Sequence, residues 1–156
     1  MTYTVEPIAF VHAERTRAED DHWGGTHARI ELTERFEPDA LAGLDAFSHV
    51  EVLFLFHTLD ASDVTTGARH PRGNIAWPKV GIFAQRAKGR PNRIGSTLCR
   101  IVSVEGRMLT VAELDAIDGT PVLDLKPVMR EFLPREATRQ PGWVAELMAD
   151  YWTIRP

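Results

Sequence analysis

The feature that most constrains this chain is the length of its apolar runs: they are short, mostly alternating, and cut by turn residues. Val50 to His57 is β-branched, aromatic and apolar on both faces after Glu51, which predicts a buried central strand. Ala28 to Thr33 sets Ile30 and Leu32 against Arg29, Glu31 and Thr33, the period of a half-buried strand. Thr4 to His12, Val80 to Ala84 and Val122 to Leu125 read as further strands. Thr97 to Val104 and Arg107 to Leu114 flank Glu105-Gly106, a two-residue hairpin loop by pattern. Helical periodicity is scarce. Glu37 to Leu44 suits one or two turns, with Pro38 near the start and Gly43 near the end. Trp143, Leu147 and Tyr151, with Val144 and Met148 beside them, predict an amphipathic terminal helix after Pro141-Gly142. Six or seven short strands with one late helix predict a mainly β antiparallel barrel or sandwich. At 156 residues the expectation is one domain over 1–156.

Composition narrows the function. Met1 to Phe10 has neither a basic start nor a long apolar core, so no signal peptide is expected. The longest apolar run, Val52 to Phe56, is far short of the roughly 20 residues of a membrane helix. The expectation is a soluble, cytoplasmic protein. Its lone cysteine, Cys99, lies among Leu98, Ile101 and Val102, which favours a packed thiol over a nucleophile. The net charge of −4 is unevenly spread. From Val64 to Val104 there is no Asp or Glu, but Arg69, Arg72, Lys79, Arg86, Lys88, Arg90, Arg93 and Arg100 are present. This segment of +8 inside an otherwise acidic chain can attract a polyanion. Asp60 to Lys79, poor in apolar residues, predicts a long loop of the kind that carries function.

Several chemistries are excluded by pattern. No GxGxxG turn opens a helix after a strand, and Gly24-Gly25 lacks both neighbours, so a Rossmann cofactor site is not expected. No HExxH or CxxC is present, and His49 and His57 sit eight apart along one strand, so no metal is expected. Ser48, His49 and Asp45 lack the GxSxG elbow of a hydrolase. His57, ending the apolar strand, is either a hydrogen-bonded structural histidine or a ligand contact. Two stretches remain. Gly81-Ile82-Phe83-Ala84-Gln85-Arg86, continuing to Arg90-Pro91-Asn92-Arg93-Ile94-Gly95, joins a strand to a cationic turn. Leu114 to Pro127 places Asp115, Asp118 and Asp124 around the turn Asp118-Gly119.

These stretches, with Leu44-Asp45-Ala46-Phe47-Ser48-His49 and Val52-Leu53-Phe54-Leu55-Phe56-His57 before them, resemble the tRNA N6-threonylcarbamoyladenosine methyltransferases, the TrmO or YaeB-like (TsaA-like) family. The resemblance spans Leu41 to Val128 and follows the family's order. It implies a compact antiparallel β-barrel, usually dimeric, that binds S-adenosylmethionine and methylates N6 of threonylcarbamoyladenosine at position 37 of tRNA. By motif match the cofactor site comprises His57, Thr58, Arg86, Leu98, Glu113, Leu114, Asp115 and Ala116. Asp118, Gly119 and Thr120 belong to the same signature. Asp118 is the candidate base for the acceptor nitrogen, whose lone pair is delocalised. Trp23 is a candidate to lie near the sulfonium or stack on the acceptor base, with packing as the alternative. Arg69, Arg72, Lys88, Arg90 and Arg93 are candidates to meet tRNA phosphates. Two departures stand out. The family's basic N-terminal Pro-Arg-Gln element is replaced by Asp20-Asp21-His22-Trp23-Gly24-Gly25, and the chain stops after the terminal helix. The alternatives are an S-adenosylmethionine-binding regulatory module and a methyltransferase of a different small substrate.

Overall fold

Alternation of apolar and polar residues becomes alternation of inward and outward side chains, and here that pattern closes on itself. The computed structural model describes residues 1–156. Eight strands occur: β1 (Ala9–Ala13), β2 (His27–Leu32), β3 (His49–Leu55), β4 (Ala68–Arg69), β5 (Val80–Gly81), β6 (Ile94–Glu105), β7 (Met108–Ala112) and β8 (Pro121–Pro127). Six of them form a closed antiparallel barrel in the order β1-β2-β7-β6-β3-β8, sealed where Ala9 and Phe10 pair with Val122 and Pro121. Closure removes exposed strand edges. The inward residues Val11, Ile30, Val50, Val52, Phe54, Leu109, Val111 and Val122 are fully buried and form one core with Cys99. Each large side chain so buried contributes about 1.5–3 kcal/mol relative to exposure.

β6 bends the barrel. Its first half pairs with β3, from Ile94↔Leu55 to Arg100↔His49, and its second half with β7, with a register shift between Ile101 and Ser103. Such a bulge turns a strand from one neighbour to the next. At its start Gly95 is required by packing: a Cβ there would fall 2.6 Å from the Phe54 ring, itself edge-on to Phe56.

Several expected elements are shorter or differently placed. β1 begins at Ala9, because the residues before it, other than Ile8, point into solvent or lie half-exposed and lack a partner strand. β3 ends at Leu55, and only one face is sealed; Glu51, Leu53 and Leu55 are half-buried. Val80 to Ala84 is not a barrel strand: Val80–Gly81 pairs with β4, and Ile82–Ala84 forms a 3-10 turn. The hairpin loop is Gly106-Arg107, one residue later than expected, since Glu105 pairs with Met108 and Gly106 takes the positive φ of 61°. Glu37 to Leu44 resolves into 3-10 turns at Pro38–Leu41 and Leu44–Ala46, separated by Gly43 at φ 84°. Asp60 to Lys79 is structured by local contacts. Asp60 caps the turn Ala61–Asp63 through the Ser62 N–H (2.8 Å), which lowers the Asp60 pKa, and Pro71–Gly73 forms another turn.

The terminal helix α1 (Gly142–Leu147) is only six residues long. Beyond it the chain runs back along the loop between β1 and β2. The N–H groups of His22, Trp23 and Gly24 donate to the carbonyls of Asp150, Tyr151 and Thr153 (3.0, 2.8 and 3.2 Å). Arg155 pairs with Glu19, and Trp77 Nε1 donates to Glu146 Oε2 (2.7 Å). No helix is long and apolar enough to cross a membrane.

Candidate functional site

The loops at one side of the barrel surround a cleft of about 1510 Å³. That exceeds the roughly 300–1,000 Å³ typical of a pocket for one small molecule. A second cleft of about 540 Å³ lies between β8 and the 3-10 turns after β2; its only ionisable side chain is Asp124. The chemistry therefore concentrates in the first.

Asp115 is the best-supported polar group of the large cleft. β7 is stopped by Glu113, whose φ of 62° turns the chain so that Leu114 enters the core and Asp115 faces the cleft. The hydroxyl of Thr97, an inward polar residue of β6, donates to Asp115 Oδ1, and the hydroxyl of Tyr151 donates to Oδ2. Burial, and then the charge of Asp115, push the Tyr151 phenol well above its ordinary range. Burial, with Asp115 and Glu113 adding to it, does the same to the Cys99 thiol, which is fully enclosed. Cys99 is thus a packed thiol and not a nucleophile.

Around Asp115 the cleft gathers His57, Thr58, Arg86, Leu98, Ala116 and Trp23. His57 Nδ1 is buried and has no hydrogen-bond partner in the protein. Gly119 lies beside this ring: a Cβ there would be in ordinary contact, 3.9 Å from His57 Nε2. Arg86 donates to the Ser96 carbonyl, and the Ser96 hydroxyl donates to Glu51 Oε1 (2.7 Å). Trp23 is buried, with the Arg15 guanidinium 4.1 Å above its ring. Arg15 in turn donates to the carbonyls of Asp21 (3.0 Å) and His22. One face of Trp23 is therefore already stacked on a cation.

Three residues expected at the cofactor site or as the base lie outside the cleft lining. Leu114 is a core residue. Glu113 clamps the N-terminal loop, accepting from the Gly25 N–H (3.2 Å) while its own N–H donates to the Thr26 carbonyl (2.9 Å). Asp118 holds a turn beside the cleft. Its Oδ1 accepts from the Ala13 N–H (3.0 Å) and its N–H donates to the Arg15 carbonyl (2.7 Å). It is exposed, and this geometry anchors a turn closed by Gly119 at φ 77°.

The basic residues are also differently employed than their exposure in sequence suggested. Arg72 makes a two-pronged pair with Asp21 (3.0 and 2.9 Å), and Lys88 reaches Asp20 (3.3 Å). The acidic N-terminal loop thus sits on the cationic segment. Arg90 donates to the Gln85 carbonyl and Arg93 to the Leu59 carbonyl (2.7 Å each). Arg93 does not line the cleft, whereas Arg69, Arg72, Lys88 and Arg90 do. Thr97, Tyr151, Gln85 and Arg15 escaped sequence reasoning. Thr97 carried one signal, a polar residue at an inward position of an alternating strand. Tyr151 was visible only as part of a helical stripe, in a place where the helix has already ended.

Residues 11–132 match the family described as the tRNA-methyltransferase O N-terminal domain. The chain is 40% identical to the human tRNA (adenine(37)-N6)-methyltransferase over 112 residues, which are 72% of this chain and 24% of that protein. It is 39% identical to the Escherichia coli tRNA (adenine(37)-N6)-methyltransferase, covering 60% of this chain and 41% of that protein. It is 33% identical to a probable S-adenosyl-L-methionine-binding protein of Pyrococcus abyssi, covering 88% and 74%. The crystal structure of TrmO from Pseudomonas aeruginosa superposes with a TM-score of 0.71 at 30% identity, over 88% of this chain and 61% of that one. The chain therefore spans well under half the length of the human and E. coli relatives. With a six-stranded closed barrel of the same fold and a matched stretch covering most of its length, this chain belongs to the TrmO N-terminal domain family.

Proposed function

We propose that this chain binds S-adenosylmethionine in the large cleft and methylates N6 of threonylcarbamoyladenosine at position 37 of tRNA. The observation that carries the reading is the convergence on one cleft of His57, Thr58, Arg86, Leu98, Asp115, Ala116 and Trp23, drawn from five separate segments. The names of the human, E. coli and P. abyssi relatives support it. The donor set fits the cofactor. Asp115 offers a carboxylate to hydroxyl or amino donors, the unpartnered His57 Nδ1 offers a polar contact, and Leu98 and Ala116 offer apolar wall. Exposed apolar side chains at Leu98, Met129, Phe132 and Leu133 border the cleft and fit a homodimer as the working form.

S-adenosylmethionine, when bound, supplies an already activated methyl group through its sulfonium. The protein's task is then placement. Thr97 and Tyr151 hold Asp115 in one orientation, and Arg86 is held by the Ser96 carbonyl, so the cleft wall is ordered before binding. Holding donor and acceptor together removes most of the entropic cost of their encounter. Trp23 and the terminal segment enclose the cleft and help to exclude water.

The test is calorimetry with S-adenosylmethionine on the parent and on Asp115→Asn, followed by radiolabel transfer to tRNA with and without threonylcarbamoyladenosine. We expect binding by the parent, a loss of about 10- to 100-fold in the variant from one charge-assisted hydrogen bond, and transfer only to the modified tRNA. No heat and no thermal shift at saturating cofactor would overturn the reading. A second reading, a cofactor-binding module without catalysis, draws on the position of Asp118 outside the cleft and on the P. abyssi relative. Binding without transfer to any tRNA would favour it.

A further inference from the structure

The cleft is lined by five basic residues, Arg69, Arg72, Arg86, Lys88 and Arg90. Four of them are already engaged by the protein. Arg72 is paired with Asp21, Lys88 with Asp20, Arg86 with the Ser96 carbonyl, and Arg90 with the Gln85 carbonyl. Arg69 alone makes no side-chain hydrogen bond or ion pair, and its Nε is buried without an acceptor. A guanidinium is always charged, and a buried N–H without an acceptor is costly, so such a group is held for a partner.

The backbone around Arg69 is built to hold it still. Arg69 ends β4 and pairs with Val80 of β5. The buried Gln85 donates its amide to both the Arg69 carbonyl (3.1 Å) and the Val80 carbonyl (3.0 Å), tying the two strands together. Pro71, buried two residues on, fixes the exit from the ribbon. A rigid mount for an unpaired guanidinium beside an ordered cleft is the arrangement that recognises a planar anion by two parallel hydrogen bonds.

We propose that Arg69 is the carboxylate-recognising residue of this cleft and not a general phosphate contact. The inference rests on the proposed function, in which two carboxylates enter the site: the methionyl carboxylate of the donor and the threonyl carboxylate of the modified acceptor. An arginine that reads the first secures the donor. One that reads the second distinguishes threonylcarbamoyladenosine from plain adenosine, which carries no negative charge on its base.

The experiment measures affinities of the parent, Arg69→Gln and Arg69→Lys. The ligands are S-adenosylmethionine, its decarboxylated analogue, and free threonylcarbamoyladenosine with its carboxamide counterpart. The expected result is a loss of about 10- to 100-fold in Arg69→Gln for one carboxylate ligand, with no further loss for the matching uncharged analogue. Arg69→Lys should recover part of it. Loss confined to the donor pair or to the acceptor pair says which carboxylate is read. The parent itself should prefer the charged member of that pair, which tests the idea even if Arg69→Gln does not fold. Equal affinities of parent and Arg69→Gln, or equal losses for charged and uncharged ligands, would overturn the inference and leave the proposed function standing. A parent that binds none of the four ligands would overturn both.

Discussion

Substituting Gly24 by Ala should release the C-terminal segment from the N-terminal loop without disturbing the barrel. Gly24 has no positive φ, so alanine meets no backbone penalty there. The obstacle is space. A Cβ on residue 24 would lie 2.1 Å from the Trp152 carbonyl oxygen and 2.8 Å from its carbon, against the 3.4 Å at which ordinary contact begins. The obstructing atoms are backbone, so a rotamer change cannot relieve the clash; the two segments must separate by about an ångström. That separation breaks the three hydrogen bonds from His22, Trp23 and Gly24 to Asp150, Tyr151 and Thr153. At about 1 kcal/mol each they contribute about 3 kcal/mol, or roughly 100-fold in the opening equilibrium. Hydrogen exchange followed by mass spectrometry should show about that loss of protection at residues 22–24, with β2, β6 and β7 unchanged. Because Tyr151 travels with the segment, its bond to Asp115 should go too, and cofactor affinity should fall. Unchanged protection at residues 22–24 would refute the docking argument.

Two further outcomes follow from the same geometry. Tyr151 is held in its protonated form by burial and by Asp115, so its pKa is higher folded than unfolded. Its contribution is fully present below the unfolded value of about 10 and is lost as pH rises above it. Stability measured by urea unfolding should therefore fall with pH above about 10, less steeply in Tyr151→Phe; parallel curves would contradict this. Cys99 should resist alkylation in the native state and react at the rate of opening, because its buried thiol is kept protonated. Labelling of the folded protein as fast as that of an exposed thiol would show the barrel interior to be open.

The core strands were legible from the sequence because their signal is local. Ala28 to Leu32 and Thr97 to Val104 carry a two-residue period, Val50 to Leu55 is a β-branched and apolar run that no helix pattern matches, and the hairpin at Gly106 needed only a glycine between two such segments. The motif resemblance likewise lives in contiguous residues, and most of the residues it named do meet in one cleft. What the alternation left open was barrel against sandwich, since both accept the same pattern; closure depends on β1 meeting β8, a pairing of residues more than a hundred positions apart.

The roles of the charged side chains were decided only by tertiary structure. Arg72, Lys88, Arg90 and Arg93 look alike in sequence, and so do Asp115 and Asp118. Which of them is consumed by a partner within the protein depends on loops that meet in space. Asp20 and Asp21 cross to the cationic segment, Ala13 offers its N–H to Asp118, and Tyr151 returns from the far end of the chain to Asp115. Composition records that a charge is present, whereas the fold determines whether its hydrogen-bond donors already have acceptors, and that difference singles out Arg69 among the cations of the cleft.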